Sequence, residues 1–142
     1  MPTTTQFLLP VLALITWTLV MWFWMYATRI PAMNKAGIDP QEAAHPHVWA
    51  HRMPERARSV ADNYNHLHEQ PTIFYALMLF AALTGGATAG TLTLAWAYVI
   101  GRIVHSLVQA TVNRVVVRFS VFAVCTLLLA VIAVRELLRV FA

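Results

Sequence analysis

Charged residues are scarce in this sequence. Only 11% of its 142 residues are charged, whereas 59% are hydrophobic. A soluble domain carries about 25% charged residues, because it has to cover a water-facing surface. The shortage predicts that much of the surface faces an apolar medium, and it favours an integral membrane protein of one compact unit.

Cysteine is nearly absent as well. Cys125 is the one cysteine, which excludes an intramolecular disulfide and a cysteine-based zinc site. The amino-terminal segment lacks the positive charge of a cleavable signal peptide, and its first apolar run is too long for one. We therefore interpret that run as a retained membrane span.

Four stretches of the sequence predict transmembrane helices, at residues 7–28, 61–84, 91–112 and 117–137. About 20 residues of helix cross the hydrocarbon of a bilayer. The second stretch is purely apolar only over 73–83, so its helix has to begin earlier, include Glu69 and bend at Pro71. A polar loop at residues 29–58 joins the first two spans. The predicted fold class is an all-α integral membrane protein, a four-helix transmembrane bundle.

Positive charge is unevenly distributed between the loops. Seven of the ten cations lie in the 29–58 loop or between the last two spans: Arg29, Lys35, Arg52, Arg56, Arg58, Arg114 and Arg118. The positive-inside rule places these loops in the cytoplasm and both termini outside. Arg135 and Arg139 oppose this assignment, with Glu136 between them. The basic residues flank apolar runs, as at membrane edges, so we predict no nucleic-acid partner.

Polar residues recur inside the predicted spans at helical spacing. The third span carries one such stripe: Tyr98, Arg102, His105 and Gln109. His66 and Glu69 share a face of the second span. A charge at bilayer depth costs at least about 2.5–3.5 kcal/mol on insertion scales, so it needs a partner and often marks a functional site. We therefore predict an ion pair between Glu69 and Arg102.

Arg114 and Arg118 lie four residues apart at the head of the fourth span, near the same membrane edge. Together with Glu69 and Arg102 they predict a polar cleft with excess positive charge. Such a cleft suits a small anionic ligand, because arginine binds carboxylates through bidentate contacts. The alternative is that Glu69 and Arg102 form only a structural pair. The 29–58 loop also contains three histidines: His45, His47 and His51. Their spacing is not that of regular metal ligands, so we predict no metal site.

Three motifs occur in order along the chain. They are Glu-x-Pro-x-x-Phe-Tyr within Asn63–Tyr75, Arg-x-x-His-Ser within Gly101–Ser106, and Arg-Phe at the end of Asn113–Phe119. With these motifs and its four-span layout, the chain resembles the MAPEG family, small trimeric membrane proteins of eicosanoid and glutathione metabolism. The resemblance is closest to the plain bacterial branch.

The resemblance implies a homotrimer that binds glutathione as a cosubstrate between neighbouring subunits, near the cytoplasmic side. Glu69 and Arg102 fall at glutathione-contacting positions, with Arg114 at the rim. His105 falls near the thiol end, and Arg118 falls at the arginine that stabilises the thiolate. A cation beside a thiol does favour its charged, nucleophilic form.

Two further glutathione-contacting positions differ from the well-studied members. His66 stands where those members have asparagine, three residues before the glutamate. Gln109 stands where they have tyrosine, seven residues after the third-span arginine. The contacts that this chain offers to glutathione therefore differ at these two positions.

Three functions remain open from the sequence. The first is a glutathione-dependent transferase or peroxidase that acts on a lipophilic electrophile. The second is a non-catalytic membrane scaffold or lipid-binding protein of the same fold, and the third is a small transporter or channel. For each of them, the bilayer that we expect to surround the chain is the bacterial inner membrane.

Overall fold

The computed structural model describes residues 1–39, 41, 44 and 49–142, and these residues are helical, without strands. The helices are α1 (Thr4–Lys35), a short 3₁₀ helix (Ala50–Arg52), α2 (Glu55–His66), α3 (Gln70–Leu83), α4 (Ala89–Ala110) and α5 (Val115–Phe141). Three of them, α1, α4 and α5, are long and apolar enough to span a membrane. Since α2 and α3 together make one further pass, the predicted four-helix membrane bundle is confirmed.

The bundle has two ends, which we call the loop end and the turn end. The loop end holds residues 36–54 and 111–114, and there Asn113 Nδ2 donates to Ser59 Oγ at 3.1 Å. The turn end holds residues 84–88 and both termini, and there Arg139 Nη1 donates to the Thr84 carbonyl at 2.8 Å. At each end, a hydrogen bond thus ties the second pass, made of α2 and α3, to α5 or to the turn before it.

Helix α1 extends beyond its predicted span of residues 7–28 and continues through Pro31 to Lys35. A proline inside a helix removes one backbone hydrogen bond. A second small apolar core offsets this loss: Ala32, Met33 and Ala36 pack against Ile38, Trp49, Met53 and Ala57. Helix α1 therefore includes the first residues of the predicted 29–58 loop, and α2 includes its last residues. Residues 36–54 remain as the connection between these helices.

The second pass is interrupted at residues 67–69, whereas the sequence predicted a bent but continuous helix over 61–84. Helix α2 ends at His66, and α3 begins at Gln70 with Pro71 in its first turn. A proline there loses no hydrogen bond, because the first N–H groups of a helix have no intrahelical partner. In a continuous helix the Pro71 ring would clash with the carbonyl of Leu67, so the helix stops and restarts.

Helices α4 and α5 pack closely along Gly101. A Cβ atom at position 101 would lie 2.6 Å from Cys125 Sγ, which is closer than such atoms approach. Cys125 is fully buried, as expected for a small residue in an apolar run. The close packing holds the polar stripe of α4 against the other passes.

Glu136, near the end of α5, is only 4% exposed and is paired with Arg139. Arg139 Nε and Nη2 donate to Glu136 Oε2 at 2.9 and 2.7 Å, and its other contacts go to Thr84. The positive charge of Arg139 is therefore paired with a buried carboxylate.

We expect Arg139→Met to destabilise the protein by roughly 3 kcal/mol. This is the low end of the range for a broken buried pair, because the Arg139 side chain is 31% exposed. The control is Arg135→Met, since Arg135 is exposed and should change stability by no more than about 0.5 kcal/mol. Thermal unfolding in a mild detergent measures both, and equal melting temperatures for the two variants would contradict the assignment.

Candidate functional site

The polar stripe of α4 is buried inside the chain. Its members have relative exposures of 0% for Tyr98, 1% for Arg102, 3% for His105 and 1% for Gln109. Three of them contact the interruption of the second pass. Gln109 Oε1 accepts from His66 Nδ1 at 3.0 Å, Arg102 Nη2 donates to the His66 carbonyl at 2.9 Å, and the Tyr98 hydroxyl donates to Gln70 Oε1 at 3.3 Å. The predicted stripe thus holds the two halves of this pass in place.

The predicted ion pair between Glu69 and Arg102 is not formed in this chain. The Nε and Nη1 atoms of Arg102 are buried and have no partner in the described part of the chain. The Glu69 side chain is exposed. The reason is the helix break: α2 stops at His66, and Glu69 adopts a non-helical backbone with φ −94° and ψ −96°. Glu69 therefore does not share the helical face of His66 that its spacing implied.

Four of the seven predicted site residues line one cavity of about 230 Å³: His66, Glu69, His105 and Arg118. Val115, Phe119 and Phe122 complete its lining. The cavity thus combines a carboxylate, a guanidinium and two imidazoles with an apolar wall. We call it the Arg118 cavity.

The remaining three predicted residues lie outside the lining. Gln109 lies behind His66, to which it is hydrogen-bonded. The Arg102 guanidinium carbon lies 6.0 Å from the centre of the Phe122 ring. Arg114 is exposed at the start of α5, and its side chain does not cap that helix. Arg102 and Gln109 therefore support lining residues, whereas Arg114 stands apart from the cavity.

Asn113 positions the Arg118 guanidinium, and we did not predict this contact from the sequence. Arg118 Nη1 donates to Asn113 Oδ1 at 2.8 Å, and Asn113 in turn donates to Ser59. Asn113 has φ +48°, a left-handed conformation that asparagine adopts more readily than most residues. An asparagine between two predicted spans was the available signal, since such residues commonly end helices in this conformation.

A larger cavity of about 540 Å³ lies at the loop end. Its lining contains both charge signs, from Arg29, Arg58, Glu55 and Asp62, and it includes Asn113. The Arg29 guanidinium carbon lies 5.0 Å from the centre of the Trp49 ring. Asn113 thus lines this cavity and is also hydrogen-bonded to Arg118, which lines the Arg118 cavity.

Of the three histidines in the 36–54 connection, His51 alone lies within the described residues. Within residues 1–39, 41, 44 and 49–142, no group of three His, Cys, Asp or Glu side chains could hold a metal ion. His51 is exposed, and His45 and His47 lie outside the described residues.

Comparison with known protein families gives one match. The model of the MAPEG family matches residues 7–138, which contain all three sequence motifs. The chain belongs to the MAPEG family. No curated protein and no solved structure matches it. Membership of MAPEG supports a membrane protein related to the glutathione-dependent transferases and peroxidases of that family.

We expect Glu69→Gln to leave the stability of this MAPEG protein unchanged and Arg102→Met to cost far less than a broken buried ion pair. The lost bond from Arg102 Nη2 to the His66 carbonyl is offset by the removal of two buried unpaired donors. Glu69 is exposed, so its change should stay within about 0.5 kcal/mol. Arg102 buries two unpaired donors, each of which costs about 1–3 kcal/mol. Replacing such a buried charge by an apolar side chain is often neutral or stabilising.

Thermal unfolding of both variants in the same detergent measures these effects. A loss of several kcal/mol in Arg102→Met would mean that the guanidinium has partners beyond those in the single chain. A loss of stability of similar size in Glu69→Gln would mean that Glu69 does form the ion pair that the sequence predicted.

Proposed function

We propose that this MAPEG protein is a glutathione-dependent transferase or peroxidase that acts on a lipophilic electrophile. The observation that carries the proposal is the Arg118 cavity. It brings an oriented guanidinium together with His105, His66 and Glu69. These residues converge although they come from α4, α5 and the break in the second pass, and they are the residues that the family resemblance implied.

Arg118 would stabilise the thiolate form of glutathione. A free thiol has a pKa near 8.5, so only a few per cent is ionised at pH 7. One fixed positive charge close by lowers such a pKa by about one to three units. The hydrogen bond from Arg118 to Asn113 supports this role, because it fixes one side of the guanidinium.

The size of the cavity suits the thiol end of glutathione rather than the whole tripeptide. Pockets for drug-sized ligands have volumes of about 300–1,000 Å³, and the Arg118 cavity has about 230 Å³. The larger cavity beyond Asn113, with its positive and negative side chains, suits the charged ends of the peptide. We propose that a homotrimer completes the site between neighbouring subunits.

The electrophile would enter from the lipid. Phe119 is exposed at the cavity, as are Val115 and Val116 beside it on the same helix. An apolar surface around a polar site gives a membrane-dissolved substrate access to a thiolate at its centre. This arrangement supports a small lipophilic substrate.

A non-catalytic scaffold is the second candidate, and one observation favours it. Three of the four members of the α4 stripe hold the interrupted pass together. These polar residues thus have a structural role that requires no chemistry. Among the side chains that line the Arg118 cavity, those of Arg118, His105 and Glu69 make no such hydrogen bond in the described part of the chain, so tests of the first proposal begin with them.

We expect glutathione, added to the purified trimer, to produce the ultraviolet absorbance of a thiolate at pH 7. Arg118→Leu should abolish this absorbance, because it removes the fixed positive charge, and should leave the assembly intact. His105→Phe should cause a partial loss, since His105 can donate a supporting hydrogen bond.

Arg114→Leu is the matched control, because Arg114 is exposed, four residues away on the same helix and outside the cavity. It should retain the absorbance. Absence of a thiolate signal from the parent protein at millimolar glutathione would exclude the transferase and favour the scaffold.

We also propose that the loop end faces the cytoplasm of a bacterial inner membrane and that both termini lie outside. The excess of positive charge at the loop end supports this orientation, and the internal pairing of Arg139 removes one exception. In a Cys125→Ala background, Ala89→Cys, next to the turn end, should react with an impermeant thiol reagent in intact cells. Asp39→Cys at the loop end, where Asp39 is exposed, should not react, and the reverse pattern would invert the orientation.

A further inference from the structure

His66 and Gln109 bind each other in the structure. His66 Nδ1 lies 3.0 Å from Gln109 Oε1. Because an amide oxygen only accepts hydrogen bonds, the contact places a proton on Nδ1. It leaves Nε2 as the acceptor of the neutral ring.

The Nε2 atom of His66 is free to receive a proton. No protein group in the described part of the chain binds it, and it is not among the buried unpartnered atoms. The His66 side chain is half-buried and lines the Arg118 cavity. A ring whose Nδ1–H is fixed by an oxygen and whose Nε2 is accessible has the arrangement of a general base.

We propose that His66 is the catalytic base that removes the thiol proton of glutathione, and that Gln109 is a positioning residue that fixes its tautomer. This inference rests on the proposed function. The S–H bond of glutathione breaks, its proton forms an N–H bond with His66 Nε2, and the electron pair stays on sulfur as a thiolate beside Arg118. The imidazolium then passes the proton to water, which restores the free base and leaves the thiolate beside Arg118.

The other groups in the cavity are less suited to this step. Nδ1 of His105 is buried and has no partner, so nothing fixes the tautomer of that ring. Glu69 offers a carboxylate, which is a weaker base than an imidazole. Arg118 is a cation and stabilises the product of the proton transfer rather than accepting the proton.

His66→Asn tests the proposal, because the asparagine amide can still donate to Gln109 while the base is removed. Thiolate formation is followed by stopped-flow ultraviolet absorbance after mixing the trimer with glutathione. The rate constant should fall about a hundredfold, the low end of the usual contribution of a general base. Glutathione affinity should stay within a few-fold of the parent, and added imidazole should restore part of the rate.

Two substitutions of Gln109 separate positioning from structure. Gln109→Leu removes the acceptor and should slow thiolate formation roughly tenfold, in line with the loss of one hydrogen bond. Gln109→Glu keeps an acceptor at the same place and should stay near the parental rate. If His66→Asn fails to assemble, a normal rate in an assembled Gln109→Leu trimer still counts against the proposal.

The outcomes distinguish this proposal from the one on which it rests. A parent protein that forms no thiolate overturns both. A parent that forms a thiolate, together with a His66→Asn variant that forms it equally fast, overturns only the role of His66. A slow variant whose rate does not respond to imidazole overturns the proton transfer and leaves His66 as a group that shapes the cavity.

Discussion

A backbone that is interrupted inside a membrane pass has to satisfy its own polar groups, because lipid supplies no hydrogen bonds. In this chain the interruption lies at residues 67–69, where Pro71 prevents a continuous helix. The His66 carbonyl receives the Glu69 amide at 3.4 Å and Arg102 Nη2 at 2.9 Å. On the other side of the break, the Gln70 side chain binds Thr126 at 2.8 Å and Tyr98 at 3.3 Å. Helix α4 thus supplies a donor to one backbone carbonyl at the break, and α4 and α5 together hold the Gln70 side chain on its other side.

The same interruption creates the candidate site. Because the chain leaves the helix after His66, Glu69 turns away from Arg102 and contributes to the cavity that contains Arg118. A continuous helix would have kept His66 and Glu69 on one face against α4. Pro71 thus leads to a polar opening next to Arg118. The guanidinium of Arg118 is oriented by Asn113 at the loop end.

Much of the fold followed from the sequence, because span length, charge placement and the three- and four-residue spacing of the α4 stripe are local properties. Burial of Tyr98, Arg102, His105 and Gln109 was implied by their periodicity. The sequence did not imply the partner of Arg102, which is the backbone carbonyl of His66. A carbonyl that a helix break exposes has no sequence signal of its own. We interpreted Pro71 as a bend in a continuous helix. This interpretation led to the predicted ion pair between Glu69 and Arg102, which the structure does not contain.

The site itself was only partly predictable. The family motifs identified Glu69, His105 and Arg118, which do meet in one cavity. Asn113 was missed, because its role depends on a left-handed turn and on the distance to Ser59 across two passes. The contact between His66 and Gln109 joins residues 43 positions apart in the sequence, and a single sequence cannot show that they meet.

The central claim is that the Arg118 cavity holds glutathione as a thiolate, and the ionisation state of the bound ligand tests it most directly. Glutathione labelled with ¹³C at the Cβ atom of its cysteine reports that state through the chemical shift in an NMR spectrum. At pH 7 the account predicts a bound signal at the thiolate position, while free glutathione stays at the thiol position. A bound signal at the thiol position, or no bound signal at millimolar glutathione, would contradict it.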